Sequence, residues 1–387
     1  MGRFARVLGV GLSIAIIMAA CGGSTPTGGT APSLSAGGSA PAANIDQAKK
    51  DATANGLTFA MTHDEIVQKA NAEGSLRALL SIGKDPIAVV IAGFKKAYPN
   101  IKLEIQETTG SDAQRFLLEL QAGSENAKSW DITNISQELY KDVAPFIAPY
   151  DVLGMAQQKV LAIDPRMIDP RTRSAIATGS ATGGFTFNKK LTTADKMPKT
   201  WEDFLKADYK GKKFVTDIEP TNLAALVPLK GEEWVIDYAK KIAAQQPIWT
   251  RGDTKSLTAM AAGEYTFNFA GNYHSAIRAQ KLAPDALQIV VLDPAPIRLA
   301  QLMGLLKTAK HPYASLLFFE WMAGPEGQAM LDEAGPAQGS VFATGSLVNK
   351  ATQGKQISVV NWDQMDKLAG WANKIVEAWG FPKSETP

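Results

Sequence analysis

"SLRALLSIGKDPIAVVIAGFKKAYPNIKLEIQETTG", residues 75–110, decides the fold class. "SLRALLSIG" is a short apolar run that stops at Ser81-Ile82-Gly83, which reads as a strand and its turn. Asp85-Pro86 then opens a helix, since proline at the first helical position lacks only an N–H that the helix does not use. That helix runs to about Tyr98. "IKLEIQE" spaces Ile101, Leu103 and Ile105 two apart, the pattern of a strand with one buried face. Two strands joined through a helix form a crossover, and crossovers join parallel strands. The stretch predicts an α/β protein.

The same grammar extends in both directions. Upstream, "THDEIVQKANAEG" (62–74) has the Thr62/Glu65 spacing of a capping box and Gly74 at its far end. Downstream, Ser111 and Gln114 repeat that spacing ahead of Phe116, Leu117 and Leu120, and "WDITNIS" (130–136) is a further strand. In the middle of the chain "FTFNKK", "KFVTDI", "YTFNFAG" and "LQIVVLDP" read as strands. They alternate with the helices "GEEWVIDYAKKIAAQ", "TKSLTAMAAGE" and "NYHSAIRAQ". "HPYASLLFFEWMAGPEGQAMLDEAG" (311–335) is two helices divided at Gly324-Pro325, the first apolar nearly all round and therefore buried. "DQMDKLAGWANKIVEAW" is a last amphipathic stretch.

The single cysteine, Cys21, stands at the edge of a different kind of segment. Arg3 and Arg6 precede an apolar run from Val7 to Ala20, too short for a comfortable membrane span and laid out as a secretory signal, residues 1–20. Met18-Ala19-Ala20-Cys21 resembles a bacterial lipobox, which implies cleavage before Cys21 and acylation of it. Residues 22–43 carry no charge and almost no large apolar side chain, so a flexible tether is expected over 21–59. The body beyond it has no cysteine and folds without disulfides. Forty Lys and Arg against 38 Asp and Glu, with Arg3 and Arg6 removed in the leader, leave the mature chain near neutral. No basic cluster suits a phosphate backbone, so nucleic acid is excluded as a partner.

An ordered set of segments carries a resemblance from about residue 60 to 345: "ANAEGSLRALLS", "AGFKKAYPNIKLEI", "ELQAGSENAKSWDI", "FNKKL", "MPKTWEDFLKADYKGKKFVTD", "LTAMAAGEYTF" and "KTAKHPYASLLFFEWMAGPEGQAML". Together they resemble the extracellular solute-binding proteins of ABC importers, in the branch of ferric-iron, thiamine and phosphonate binders. The resemblance implies the type 2 periplasmic-binding-protein fold, two lobes each with a mainly parallel sheet and two crossovers between them. It places residues 60–185 and 296–387 in lobe one and 186–295 in lobe two. It also implies a monomer that delivers its ligand to a membrane permease with a cytoplasmic ATPase, on the outer face of the membrane, with no cofactor and no catalysis.

Strand ends and helix starts are the candidate ligand contacts, because unpaired N–H groups there favour anionic or oxygen-rich molecules. In the first lobe these are Ser81 and Gly83, then Thr109, Gly110 and Ser111, then Ser136. In the second they are Thr221 and Asn222, with Arg251 as a bidentate anion ligand. The resemblance adds Asn272 and Tyr273. Ferric members carry two adjacent tyrosines there, whereas His274 follows Tyr273 here, and no histidine follows the first strand. No protein metal site is therefore expected, although a ferric-binding receptor stays open as an alternative. So do a tethered surface sensor using the same cleft and a secreted hydrolase. "TGSATGG" (178–184) lacks the lysine of a phosphate loop, and no nucleophile elbow or metalloprotease helix occurs.

Overall fold

The computed structural model describes residues 45–211, 214–335 and 338–380; Cys21, the leader and residues 22–43 lie outside them. Ten strands run through the described residues: β1 (Ser75–Leu80), β2 (Lys102–Glu107), β3 (Ile132–Ile135), β4 (Ile176–Asn188), β5 (Val215–Asp217), β6 (Ile248–Thr250), β7 (Phe267–Asn272), β8 (Leu287–Val290), β9 (Ala295–Leu305) and β10 (Ile357–Val360). Their order is β2-β1-β3-β9-β4-β7-β5-β6, with β10 beside β9 and β8 beside β4.

Two lobes emerge from this order. β1 pairs in parallel with both β2 and β3, as the opening stretch predicts, and β5 pairs in parallel with β6 and β7. The long strands β4 and β9 run antiparallel to each other, Ile176 opposite Met303 through Thr182 opposite Ile297, and pass from one lobe to the other. These are the two expected crossovers. Leu76, Phe94, Ile132 and the helix Pro312–Ala323 build the first core, and that helix is indeed buried along most of its length. The second core is aromatic: Phe204 meets Phe269 at 4.8 Å between ring centroids, with Phe185, Trp201, Phe214 and Phe267 around them.

Three local expectations need correction. The tether ends earlier than residue 59, because Ile45–Ala54 is a helix whose Ile45, Ala48 and Ala52 pack on the first core. The helix Gly110–Gln121 is capped two residues earlier than Ser111/Gln114, by Thr109, whose backbone N–H donates to Asp112 Oδ2 at 3.0 Å. Aspartate is short and acidic enough to close that box. "TGSATGG", which the sequence assigns to no element, lies within β4. A Cβ on Gly179 would lie 2.6 Å from the Gln338 carbonyl oxygen, and one on Gly183 2.7 Å from Asn222 Cβ, so the crossover is small-residued to let its neighbours approach. Finally, the C-terminal helix Leu368–Ala378 belongs to the second lobe: Leu368, Ala372, Ile375 and Trp379 join the aromatic core, and Trp379 meets Trp249 at 4.8 Å. The chain thus passes between lobes once more, through β10, beyond the two strand crossovers.

Candidate functional site

A cavity of about 450 Å³ opens between the lobes. Gln137, just past the end of β3, lines it from the first lobe; Thr221, at the start of the helix Thr221–Ala224 after β5, lines it from the second. Both positions lie beyond the carboxyl ends of parallel strands, where open α/β sheets bind ligands. A third wall, apolar, comes from Trp362, Met365, Leu368 and Ala369 of the C-terminal segment.

Three cations line this space, Lys141, Arg171 and Arg298. Lys141 Nζ pairs with Asp366 at 2.7 Å. Arg171 Nε contacts buried Asp169 at 3.2 Å, its Nη2 donates to the Trp362 carbonyl at 2.9 Å, and its guanidinium lies over the Tyr140 ring at 5.2 Å. Tyr140 donates its own hydroxyl to Asp169, and burial with that carboxylate pushes the phenol well up. Arg298 differs. Its Nη2 donates to Asn222 Oδ1 at 3.1 Å and Asn272 Oδ1 at 3.2 Å, both neutral acceptors, and its Nε is buried with no partner. No carboxylate among the described residues forms an ion pair with it. Burial pulls its pKa down to about 10, with Asp253 opposing from a distance. Trp362 Nε1, on the facing wall, is likewise buried without an acceptor.

The second lobe holds Arg298 in place through a relay. Asp253 accepts from the Asn272 backbone N–H at 2.8 Å and from its Nδ2 at 2.6 Å, which turns the amide oxygen toward Arg298. Asn222 Nδ2 donates to the Ala270 carbonyl at 3.0 Å and to Asn272 Oδ1 at 3.2 Å, fixing the second acceptor. Asn amides suit this task because each presents a neutral oxygen while its NH₂ is spent elsewhere.

Of the residues singled out from the sequence, Thr221 lines the cavity, and Asn222 and Asn272 stand behind it as Arg298's acceptors. Ser81 is exposed, and Gly83 (φ +81°) caps the helix Lys84–Ala97. Thr109, Gly110 and Ser111 form the exposed helix start, with Thr109 Oγ1 3.1 Å from Ser111 Oγ. Ser136 is half-buried and its carbonyl accepts from the Leu139 N–H at 3.2 Å. Arg251 is exposed and 3.5 Å from Glu219. Tyr273 packs beside Ile277 and Phe342 against the Val291–Ile297–Val341 cluster, where burial raises its phenol. None of these lines the cavity. His274, which follows Tyr273 in the chain, is buried enough to hold its pKa down to about 4, with Arg278 and Arg298 adding to the effect. His311, the N-cap residue of the helix Pro312–Ala323, also bridges buried Asp131 at 2.9 Å and Ser75 at 2.9 Å inside the first lobe. Among the described residues no group of three or more His, Cys, Asp or Glu is placed to hold a metal ion.

Arg298 itself was absent from the sequence reading, as was β9. Its signal is a lone cation in the apolar run "APIRLAQLMGL", residues 295–305.

Comparison with known proteins agrees with this geometry. The Fe(3+)-binding periplasmic protein of Serratia marcescens is 22% identical over 240 residues, a match spanning 59% of this chain and 63% of that protein's length. An iron- and citrate-bound protein from Trichodesmium superposes over 80% of this chain and 100% of its own, with TM-score 0.62 at 18% identity. A ferric binding protein from Bordetella does so over 79% and 98%, with TM-score 0.60 at 14% identity. At such identities the likeness establishes the fold, the two-lobed type 2 periplasmic-binding-protein architecture. Residues 79–329 match the bacterial extracellular solute-binding proteins. The chain belongs to that family.

Proposed function

We propose that this protein is the solute receptor of an ABC importer, capturing a small anionic or oxygen-rich ligand between its lobes and delivering it to a permease with a cytoplasmic ATPase. The observation that carries the reading is Arg298: a cation on the cavity wall whose protein partners are neutral, with a buried Nε left over. A buried charge without a counter-ion is costly unless something completes it, and an anionic ligand does so. Hinge closure about β4 and β9 would then enclose the ligand.

Membership of the family places the folded body outside the cytoplasm, and no helix among the described residues is long and apolar enough to cross a membrane. Attachment falls to Cys21. Acylation there, with residues 22–43 as tether, holds a monomeric receptor on the outer face of the membrane; one chain binds marginally, and two or more hold firmly. Labelled fatty acid incorporated by the parent and lost in Cys21→Ala tests the anchor.

Ferric iron is the named alternative, favoured by what the Serratia relative binds. In this chain iron would have to arrive with its own anion, since among the described residues no group of three or more His, Cys, Asp or Glu is placed to hold a metal ion. Calorimetric titration of full-length protein decides the matter, with carboxylates, organic phosphates, phosphonates, thiamine, polyamines, and ferric iron with and without phosphate or citrate. An anion that binds the parent and not Arg298→Met supports the reading. A cationic ligand, or binding that survives Arg298→Met, overturns it.

A further inference from the structure

We infer that the cavity takes an organic monoanion: a single oxyanion group at Arg298, and an apolar body against Trp362, Met365 and Leu368. This rests on the receptor reading above and narrows its ligand class.

The first argument is volume. A tetrahedral anion fills the space of a few waters, at about 30 Å³ each, and would leave most of the cavity of about 450 Å³ empty. The second is the third wall. Pockets for small organic ligands are mostly apolar with a few converging polar groups, and Trp362, Met365 and Leu368 supply the apolar side here.

Charge supplies the third argument. Lys141 and Arg171 are already paired with Asp366 and Asp169, so Arg298 alone is left for an anion. Glu138, exposed, adds a carboxylate to the same lining. A second anionic group on the ligand would meet Glu138 or the two closed ion pairs rather than a free cation, which disfavours citrate and other polyanions.

The test is calorimetry on the full-length protein with butanoate, hexanoate, octanoate and benzoate, set against phosphate, citrate and ferric citrate. Each added methylene should tighten binding about fourfold until the cavity is full, the equivalent of ~0.8 kcal/mol per buried CH₂. Arg298→Gln should weaken every acid at least tenfold. Ala369→Asp, at an exposed helix position on the apolar wall, should weaken octanoate about tenfold and butanoate much less. Glu138→Gln should improve citrate several-fold.

Phosphate, citrate or ferric citrate binding more tightly than every monocarboxylate, with dependence on Arg298, would sink the monoanion and leave the receptor reading standing. Chain-length independence, or an Ala369→Asp variant that keeps octanoate affinity, would sink it equally. No anion binding to protein shown by mass spectrometry to be ligand-free would remove the anion-receptor reading as well.

Discussion

Arg298 and His274 face the same difficulty, a cationic group taken out of water, and resolve it in opposite ways. Arg298 stays charged because even a pKa of about 10 leaves it protonated at neutral pH. Replacing it with methionine removes a poorly compensated charge but leaves Asn222 Oδ1 without that donor, so the two effects oppose. Arg298→Met is therefore expected to unfold in urea within about 1 kcal/mol of the parent while losing its ligand. A loss well beyond that would mark Arg298 as a structural residue. His274 gives up its charge instead. Its pKa falls from 6.5 to about 4 through burial, with Arg278 and Arg298 adding and Asp253 opposing. The unfolded chain binds this proton first as pH falls, so the stability contribution is complete above pH 6.5 and is lost between 6.5 and 4. The loss amounts to about 3 kcal/mol. Urea melts across that window should show it in the parent, and His274→Gln should flatten that part of the profile.

Helix caps and strand glycines carry the argument at the level of elements. Thr109 and Asp112 close the box at the start of Gly110–Gln121, so Thr109→Ala should cost about 1 kcal/mol and Ser111→Ala only a few tenths. The reverse order in chemical denaturation would restore the cap to Ser111. On β4, a methyl group at Gly179 meets a backbone carbonyl that cannot rotate aside. Gly179→Ala should cost about 2 kcal/mol, and a neutral result would mean that the backbone at Gln338 gives way easily. These cases show what the sequence makes legible. β1, the helix after it and β2 were readable because apolar period, proline and glycine all agreed over 36 residues. "APIRLAQLMGL" was not, since an eleven-residue strand buried on both faces has no clean alternation and carries a proline, Pro296, at its second position. The Gly-rich half of β4 was not legible because glycine is poor in strand propensity, while the reason for those glycines lies in Asn222 and Gln338, distant in sequence. Thr221 and Asn222 could be found from their place after a strand, and Asn272 from the family resemblance; Arg298 could not, because its role depends on which carboxylates are absent around it in space.

The two lobes are joined by more than β4 and β9. The segment after β10 leaves the first lobe's sheet, forms the cavity's apolar wall, and ends as a helix packed in the second lobe. Arg171 holds the Trp362 carbonyl, and Lys141 pairs with Asp366, so the first lobe grips this segment where it crosses. The grip on the exposed lysine is weak, under about 1 kcal/mol, and suits a contact that must shift as lobes move. The far end is firmer. Trp379 is 8% exposed and stacks obliquely on Trp249, so Trp379→Ala should cost about 3 kcal/mol or more. Where that loss falls is the informative part. Because Leu368, Ala372, Ile375 and Trp379 belong to the aromatic core, hydrogen exchange should quicken in β5, β6 and β7 and hold steady in β1, β2 and β3. Equal quickening on both sides would mean the lobes unfold as one unit and that the C-terminal segment transmits stability across the cleft. Confined quickening would instead make the C-terminal helix a part of the second lobe in energy as well as in contact, free to move with it when the cavity closes.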